Sequence, residues 1–315
     1  MNTKLVEDIA NAVLYEGYIL YPYRASSVKN RQRWNFGVLY PRAFVESQRG
    51  ADAWSTQTEC LARAGSEDAI LGIRVRFLHL IERSSKSAPA WQEAAECDIS
   101  MPFVKLADLL SHRRLHTFSY PASCDTDGET VRVREPIEGA VEVEAEKLRQ
   151  DLFKIRIRVF NTAWFPDEMN RDAALMRSLV SAHTILELQG AEFISLLDPP
   201  EEFRDAAAQC KNSGTWPVLA GEAGARDTML SSPIILYDYP QIAPESAGAL
   251  FDGTEIDEIL TLRIMTLTDQ EKAEMDQVDA RARQILERTE CMPPEQLMKM
   301  HGALRGLRRV SQETP

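Results

Sequence analysis

Three segments of the chain alternate strictly between apolar and cationic residues, and this pattern restricts the fold more than any other feature. They are residues 73–77 (IRVRF), 131–134 (VRVR) and 154–159 (KIRIRV). A period of two places the apolar side chains on one face and the cations on the other, as in a half-buried antiparallel strand. Further strands are predicted at residues 18–23, 35–40, 58–63, 94–99, 117–120 and 140–145. Short strands at this spacing are typical of a β-sandwich.

The second half of the chain has a different character. Residues 172–188 (DAALMRSLVSAHTILEL) carry apolar residues at helical spacing, which predicts a helix. Other helices are predicted at residues 1–14, from 199 onward, and at 254–267, 268–290 and 293–309, with strands at 193–197, 216–219 and 233–237. We therefore predict an α+β protein, with a β-sandwich-like N-terminal half followed by a mixed α/β region that ends in helices. The division falls between residues 1–165 and 166–315, and a single shared core is the alternative.

Composition and charge limit the classes of function. Hydrophobic residues make up 44% of the chain, and the formal net charge is −12. Such an acidic surface repels phosphate backbones, so nucleic acid is not expected as a partner. The five cysteines form no CxxC pair, and their odd number indicates a reducing compartment. The N-terminal residues do not resemble a signal peptide and no window approaches the ~18 apolar residues of a membrane span, so a cytoplasmic protein is expected.

No catalytic motif is present in the sequence. There is no nucleotide-binding loop, no zinc pattern and no GxSxG nucleophile elbow around Ser195 or Ser231. A free cysteine such as Cys60 is usually a small core residue. We therefore predict no catalytic residues and no cofactor. A hydrolase with an unrecognised serine or cysteine site stays open as an alternative.

Two groups of residues that contain histidine are candidate metal or acid–base sites. His112 and His116 lie four residues apart, a helical spacing that allows chelation, and Cys124 is a candidate thiolate ligand. His183 and Glu187 have the same spacing on the helix predicted for that segment. The simpler interpretations are a solvent-facing basic turn and a helix-surface pair.

A third candidate site is acidic. The carboxylates of Asp252, Glu255 and Asp257 lie close together in the sequence and offer oxygen ligands for a divalent cation. They also fall where a helix begins, and negative charge is favourable there without any ligand. A metal-handling protein or metalloenzyme is kept as an alternative function.

Aromatic residues on proline-containing loops indicate a protein-binding surface. The segments are Tyr21-Pro22-Tyr23-Arg24 and Tyr237-Asp238-Tyr239-Pro240. Aromatic side chains on stiff loops provide contact area at low entropic cost. The predicted contact residues are Tyr21, Tyr23, Arg24, Trp34, Tyr237, Asp238 and Tyr239. The alternative interpretation is that these loops cover sheet edges.

Four segments of the chain resemble an uncharacterised bacterial family. They are residues 16–41 (EGYILYPYRASSVKNRQRWNFGVLYP), 57–60 (QTEC), 214–222 (GTWPVLAGE) and 231–272 (SSPIILYDYPQIAPESAGALFDGTEIDEILTLRIMTLTDQEK). The family is associated with gene clusters for nickel–iron hydrogenases, notably the actinobacterial type. The resemblance implies a helper in hydrogenase maturation or assembly, with a hydrogenase subunit or another maturation protein as its partner. It implies no catalytic residues.

Overall fold

The computed structural model describes residues 3–300, except for residues 26, 32, 35, 49, 87–89, 167–169, 243–245, 247 and 253–256. The described residues form two antiparallel sheets, and four helices follow one another after residue 256. The predicted α+β fold with a strand-rich N-terminal half is confirmed.

The first sheet contains the alternating segment 154–159. Its strands are β1 Ser55–Ala64, β5 Arg114–Tyr120, β8 Ile137–Lys147, β9 Leu152–Asn161 and β11 Ala191–Ile194. Five strands lie in the order β11-β1-β9-β8-β5.

Strand β9 has the two faces that its alternation predicts. Its aliphatic side chains are buried in the main core. Its cations lie directly opposite acidic residues of β8, in the register Lys154–Glu146, Arg156–Glu144 and Arg158–Glu142. All three are ion pairs, and 2.7 Å separates Lys154 Nζ from Glu146 Oε2. Cross-strand pairs of opposite charge contribute about 0.2–1 kcal/mol each, so this face stabilises the sheet.

The second sheet is built on a long strand, β2 Ile70–Ser85. The others are β3 Trp91–Ser100, β4 Val104–Lys105, β6 Ser123–Asp127, β7 Thr130–Arg134, β10 Val180–Gln189, β12 Trp216–Leu219 and β13 Thr228–Ser232. The order is β12-β13-β10-β2-β7-β6, and β3 and β4 also pair with β2. Because β10 and β3 pair with overlapping parts of β2, they lie along its opposite edges.

The two sheets pack face to face around shared buried side chains. Val143 and Ile155 of the first sheet belong to the same buried cluster as Val75 and Phe77 of the second. Strands from both sides of residue 165 pair within each sheet, since β10 pairs with β2 and β11 pairs with β1.

The helices are α1 Thr3–Leu14, α2 Arg42–Ser47, α3 Leu106–Ser111, α4 Arg171–Leu175, α5 Arg204–Ala208, α6 Asp257–Met265, α7 Asp269–Asp276, α8 Ala280–Glu290 and α9 Pro294–Met300. The predicted opening helix is α1, whose apolar stripe packs on β10, β12 and β13. Within the described ranges, no helix has the length and apolar character needed to cross a bilayer.

The helix predicted for residues 172–188 is wrong. Helix α4 is short, and strand β10 begins at Val180. Because β10 has the main core on one face and α1 on the other, it is buried on both faces. A strand of this kind is a continuous apolar run, which also satisfies helical spacing. The β-branched residues Thr184 and Ile185 favour the strand.

Three predicted strands are also wrong. The described parts of residues 18–23 and 35–40 are loops, apart from isolated bridges at Leu39. Tyr23 and Gly37 have φ angles of 58° and 54°, and left-handed backbone interrupts a strand. The strand expected at residues 233–237 ends earlier as β13, because Pro233 has no N–H for the ladder.

The C-terminal helices differ from the prediction in their bounds. Thr254, the expected N-cap of α6, lies outside the described residues. The single helix predicted for residues 268–290 is divided into α7 and α8, because Asp279 caps a new helix. The last helix is described as α9, and the rest of its predicted length lies outside the described residues.

Stacked arginines and aromatic rings join the N-terminal loop to the C-terminal helices. The ring centroid of Tyr18 lies 5.8 Å from the guanidinium of Arg33 and 5.5 Å from that of Arg281. Arg33 also stacks at 3.4 Å on Trp91, and Arg281 at 3.6 Å on Tyr15. Burial lowers the pKa of Arg33 to about 9, so its guanidinium is charged at neutral pH. We call these five residues the stacked cluster.

Asp279 connects the stacked cluster to α8. Its Oδ2 accepts hydrogen bonds from Tyr18 Oη at 2.8 Å and Trp91 Nε1 at 2.9 Å. Its Oδ1 accepts from the backbone N–H groups of Arg281 and Ala282, both at 2.9 Å. One carboxylate therefore caps a helix and satisfies two aromatic donors.

We expect Asp279→Ala to lower the free energy of unfolding by about 3 kcal/mol. The estimate combines a lost N-cap of about 1 kcal/mol with two aromatic donors left without an acceptor. Urea unfolding followed by tryptophan fluorescence measures it. Asp276→Ala is the matched control, because Asp276 pairs with Arg283 at the surface and such pairs contribute roughly 0–1 kcal/mol. Equal losses in both variants would contradict the role given to Asp279.

Candidate functional site

The turn at residues 237–239 closes the outer edge of β12. The N–H of Tyr239 donates to the carbonyl of Leu219 at 2.7 Å. Asp238 Oδ1 accepts from the N–H of Leu219 at 2.8 Å, and Asp238 Oδ2 accepts from Ser195 Oγ at 2.5 Å. Hydrogen bonds thus fix the turn both to β12 and to the loop after β11. This matches the interpretation that the loop covers a sheet edge.

Apolar side chains in this turn and in the segments joined to it are exposed to solvent. Tyr237 is 87% exposed and Ile235 is 71% exposed, whereas Ile234 and Leu236 pack against the cluster around α1. Leu197, whose N–H donates to the same Ser195 hydroxyl, is 54% exposed. We call Leu197, Ile235 and Tyr237 the Tyr237 surface.

Two predicted contact residues belong to the core instead. Tyr23 is fully buried, and its Oη donates to the carbonyl of Leu250 at 2.9 Å. Trp34 is also buried, and its Nε1 donates to Gln92 Oε1 at 3.1 Å. Their rings fill space between the N-terminal loop and the rest of the fold, so neither is available to a partner.

Tyr21 and Arg24 keep part of their surface exposed and lie against the C-terminal helices. The Tyr21 ring centroid is 5.4 Å from the guanidinium of Arg263 in α6. Arg24 pairs with Glu271 at 3.3 Å and with Glu274 at 3.7 Å. The basic N-terminal loop is therefore bound to α6 and α7.

The candidate ligands His112, His116 and Cys124 lie on three different elements. Helix α3 ends at Ser111, His112 is its C-cap, and His116 lies in β5. Cys124 is exposed in β6, which belongs to the other sheet. The helical spacing that suggested chelation does not exist, because the chain is extended from His112 onward.

The acidic candidates have structural roles. The Asp252 side chain is buried and accepts from the N–H of Tyr21 and from Lys29 Nζ, both at 3.0 Å. Asp257 lies in the first turn of α6, where the helix dipole favours a carboxylate. Glu255 lies outside the described residues. Among the residues that the structure describes, no three His, Cys, Asp or Glu side chains are arranged to hold a metal ion.

The candidate nucleophiles are occupied by other contacts. Ser231 is buried, and its Oγ lies 2.7 Å from the hydroxyls of both Thr58 and Thr215. Ser195 donates to Asp238, as described above, and burial raises the pKa of the Cys60 thiol. No hydrogen bond in the described part of the chain joins a histidine to Ser195 or Ser231.

His183 and Glu187 are not a helical pair, because both lie in strand β10. Residues four apart on a strand are separated by about 13 Å. His183 is buried, with Nδ1 2.9 Å from the carbonyl of Ser181 and Nε2 without a partner among the described residues. Burial, together with nearby Arg76 and Arg74, lowers the pKa of His183 to about 4. The imidazole is therefore neutral at pH 7.

Leu197 and Ile235 are not among the contact residues that the sequence predicts. Ile235 falls in an apolar run that was interpreted as a buried strand, and Leu197 lies at the end of another predicted strand. One signal was present for Ile235. Prolines occur at both ends of the segment, at positions 233 and 240, and such placement is typical of an edge rather than of a central strand.

The fold and its described side chains define an α+β protein with a two-sheet core and a fixed, exposed aromatic turn. No protein-family model matches the chain, and no match was found among curated proteins.

We expect Asp238→Ala to release the turn from β12. The variant removes the acceptor of the Leu219 N–H and of the Ser195 hydroxyl, so amide exchange at Leu219 should accelerate by about tenfold or more. Hydrogen–deuterium exchange measures it. Ser195→Ala is the control, because it leaves the bond between Asp238 and Leu219 intact. Unchanged protection of Leu219 in Asp238→Ala would show that the carboxylate does not hold the turn.

We expect the buried His183 to make the fold acid-sensitive. Its pKa is about 4 in the folded protein and 6.5 for an unperturbed imidazole, so its neutral form contributes stability above pH 6.5 that is lost as the pH falls toward 4. In that window one proton changes the unfolding free energy by about 1.4 kcal/mol per pH unit. Urea unfolding of His183→Gln should show a shallower pH dependence by up to this slope. Identical slopes in wild type and variant would contradict the prediction.

Proposed function

We propose that this protein is a non-catalytic accessory protein of hydrogenase maturation or assembly, which acts by binding a hydrogenase subunit, its precursor or another maturation protein. The Tyr237 surface carries the proposal, since it exposes Tyr237 on a turn that hydrogen bonds hold in place, with Ile235 and Leu197 exposed on the adjoining segments. The partner is inferred from the resemblance of residues 231–272, which include this turn.

A fixed aromatic turn suits protein binding for an energetic reason. Ordering a flexible loop and its side chains at an interface opposes binding, and Asp238 has already ordered this one. Tyrosine is enriched among the residues that dominate interface energies. Two further apolar side chains are exposed on segments linked to the turn: Ile235 through the chain, and Leu197 through Ser195.

The segments that carry the resemblance also meet in space. The first segment contacts α6 and α7, since Tyr21 stacks on Arg263 and Arg24 pairs with Glu271. The resemblance thus includes a packed unit as well as the Tyr237 surface. The metal-handling and hydrolase alternatives lack comparable support among the described residues.

Affinity purification from the native host, grown with hydrogenase expressed, tests the proposal. We expect tagged wild-type protein to enrich hydrogenase subunits over an untagged control. Tyr237→Ala should reduce their recovery by about tenfold, since truncation of a central aromatic contact typically costs more than about 1 kcal/mol. Quantitative mass spectrometry provides the readout.

Trp164→Ala is the matched control. Trp164 is 71% exposed, contacts Arg177 and takes no part in the hydrogen bonds that hold the turn. We expect its recovery of hydrogenase subunits to equal that of wild type. Absence of hydrogenase subunits from the wild-type sample would remove the proposed partner, and equal recovery with Tyr237→Ala would remove this surface from the interaction.

A further inference from the structure

The outer edges of the two sheets end in different ways. At β11 the N–H of Phe193 donates to the carbonyl of Arg226 at 2.7 Å, and at β12 Tyr239 closes the edge. Strand β6 is an edge with Asp125 and Asp127, and charges on an edge strand discourage further pairing. Strand β5 is the last strand of the first sheet, and β8 is its only strand partner in the described part of the chain.

Two hydrogen bonds show which backbone groups of β8 face β5. The N–H of Thr162 donates to the carbonyl of Glu138 at 2.9 Å, so Glu138 directs its backbone groups toward β9. The N–H of Asn161 donates to the carbonyl of Trp54 at 2.9 Å, so the backbone groups of Asn161 point away from β8. Its partner in the register, Gly139, therefore directs its own backbone groups away from β9 and toward β5. This direction alternates along an antiparallel ladder. The odd-numbered residues among 137–143 of β8 therefore face β5.

The same alternation assigns the backbone groups of β5. Its even-numbered residues lie opposite the odd-numbered residues of β8 in an unbroken register. The N–H and C=O groups of Leu115, Thr117 and Ser119 therefore point to the open edge. The side chains of these residues are exposed, and Leu115 is 62% exposed. The edge offers backbone donors and acceptors in the geometry that a further strand requires.

We propose that the open edge of β5 pairs with β5 of a second copy of this chain. Antiparallel pairing centred on Thr117 places Leu115 opposite Ser119 of the second copy, so each outward donor meets an acceptor. The two five-stranded sheets then form one continuous sheet. This association is independent of the Tyr237 surface.

Charge favours the antiparallel arrangement. Arg113 and Arg114 precede the pairing residues, with side chains 68% and 55% exposed, and they pair within the chain with Glu142 and Asp108. Antiparallel pairing centred on Thr117 places Arg114 of each copy opposite Tyr120 of the other, so the arginines of the two copies are kept apart. Parallel pairing would place the arginines of the two copies side by side. Residues 115–120 include no Asp, Glu, Lys or Arg, so the pairing buries no such charge.

The size of the edge sets the expected affinity. One strand of seven residues is available. Its pairing buries less surface than the roughly 1,200–2,000 Å² of stable interfaces. We therefore expect a dissociation constant of about 10–100 μM and a monomer in dilute solution.

Sedimentation velocity of the full chain at about 1–500 μM tests the proposal. We expect wild type to change from monomer to dimer. Thr117→Pro removes an outward N–H that β8 does not use, and edge strands tolerate proline, so the variant should stay monomeric. Thr117→Val keeps that N–H and should dimerise like wild type. A wild-type monomer throughout the range, or a dimer unaffected by Thr117→Pro, overturns the proposal.

Disulfide cross-linking tests the register without a proline. With Cys124 and Cys291 replaced by serine, Thr117→Cys places two thiols at the symmetry axis, where Cα atoms lie about 5.5 Å apart. Oxidation should give a dimer linked through position 117, identified by peptide mass spectrometry. Ser119→Cys is the matched control, because its thiols lie about 14 Å apart in this register. Equal cross-linking of both variants, or none in Thr117→Cys, overturns the arrangement.

Discussion

Pairing of β2 along both of its edges is the constraint on which the rest of the fold depends. Strand β10 and then β13 and β12 extend the sheet from one edge, while β3 and β4 cover the other. Segments far apart in the sequence thus become neighbours, and α1 and the C-terminal helices pack on the surfaces that this produces. The ion pairs of Arg76 with Glu7 and Glu96 show the result, since a buried guanidinium in β2 links α1 to β3. Burial of this charge is tolerated because several partners surround it.

Strands with one buried face and one exposed face are predicted correctly from the sequence, whereas a strand buried on both faces is not. Alternation in residues 154–159 identified β9, because its cations face solvent and pair with β8. The same reasoning fails for β10, because both of its faces are buried and its sequence therefore shows no alternation of apolar and polar residues. The expectation that Tyr23 and Trp34 are exposed contact residues fails for another reason. Their exposure depends on a loop that folds back against distant segments, as the hydrogen bond from Tyr23 to Leu250 shows, and local sequence does not record such packing.

The candidate site was predicted in part for the same physical reasons. The Tyr-Asp-Tyr-Pro segment was identified from its composition, and the turn covers β12 while exposing Tyr237. Asp238 explains how one turn does both, because its carboxylate faces the sheet and directs the preceding tyrosine outward. The metal candidates were suggested by spacing alone. Spacing has meaning only within a known element, and the chain between His112 and His116 leaves a helix and enters a strand.

The stacked cluster has a consequence for how the chain is made. Tyr18 and Asp279 are 261 positions apart, and Trp91 reaches the same carboxylate from a third segment. During vectorial synthesis Tyr15, Tyr18 and Arg33 leave the ribosome long before α8 exists. Their contacts with the C-terminal helices therefore cannot form at that time. The two sheets can assemble from residues up to 232, but the N-terminal loop gains its final neighbours only after α8 has been synthesised. Nascent chains of this protein therefore pass through a long interval in which aromatic surface is open to chaperones.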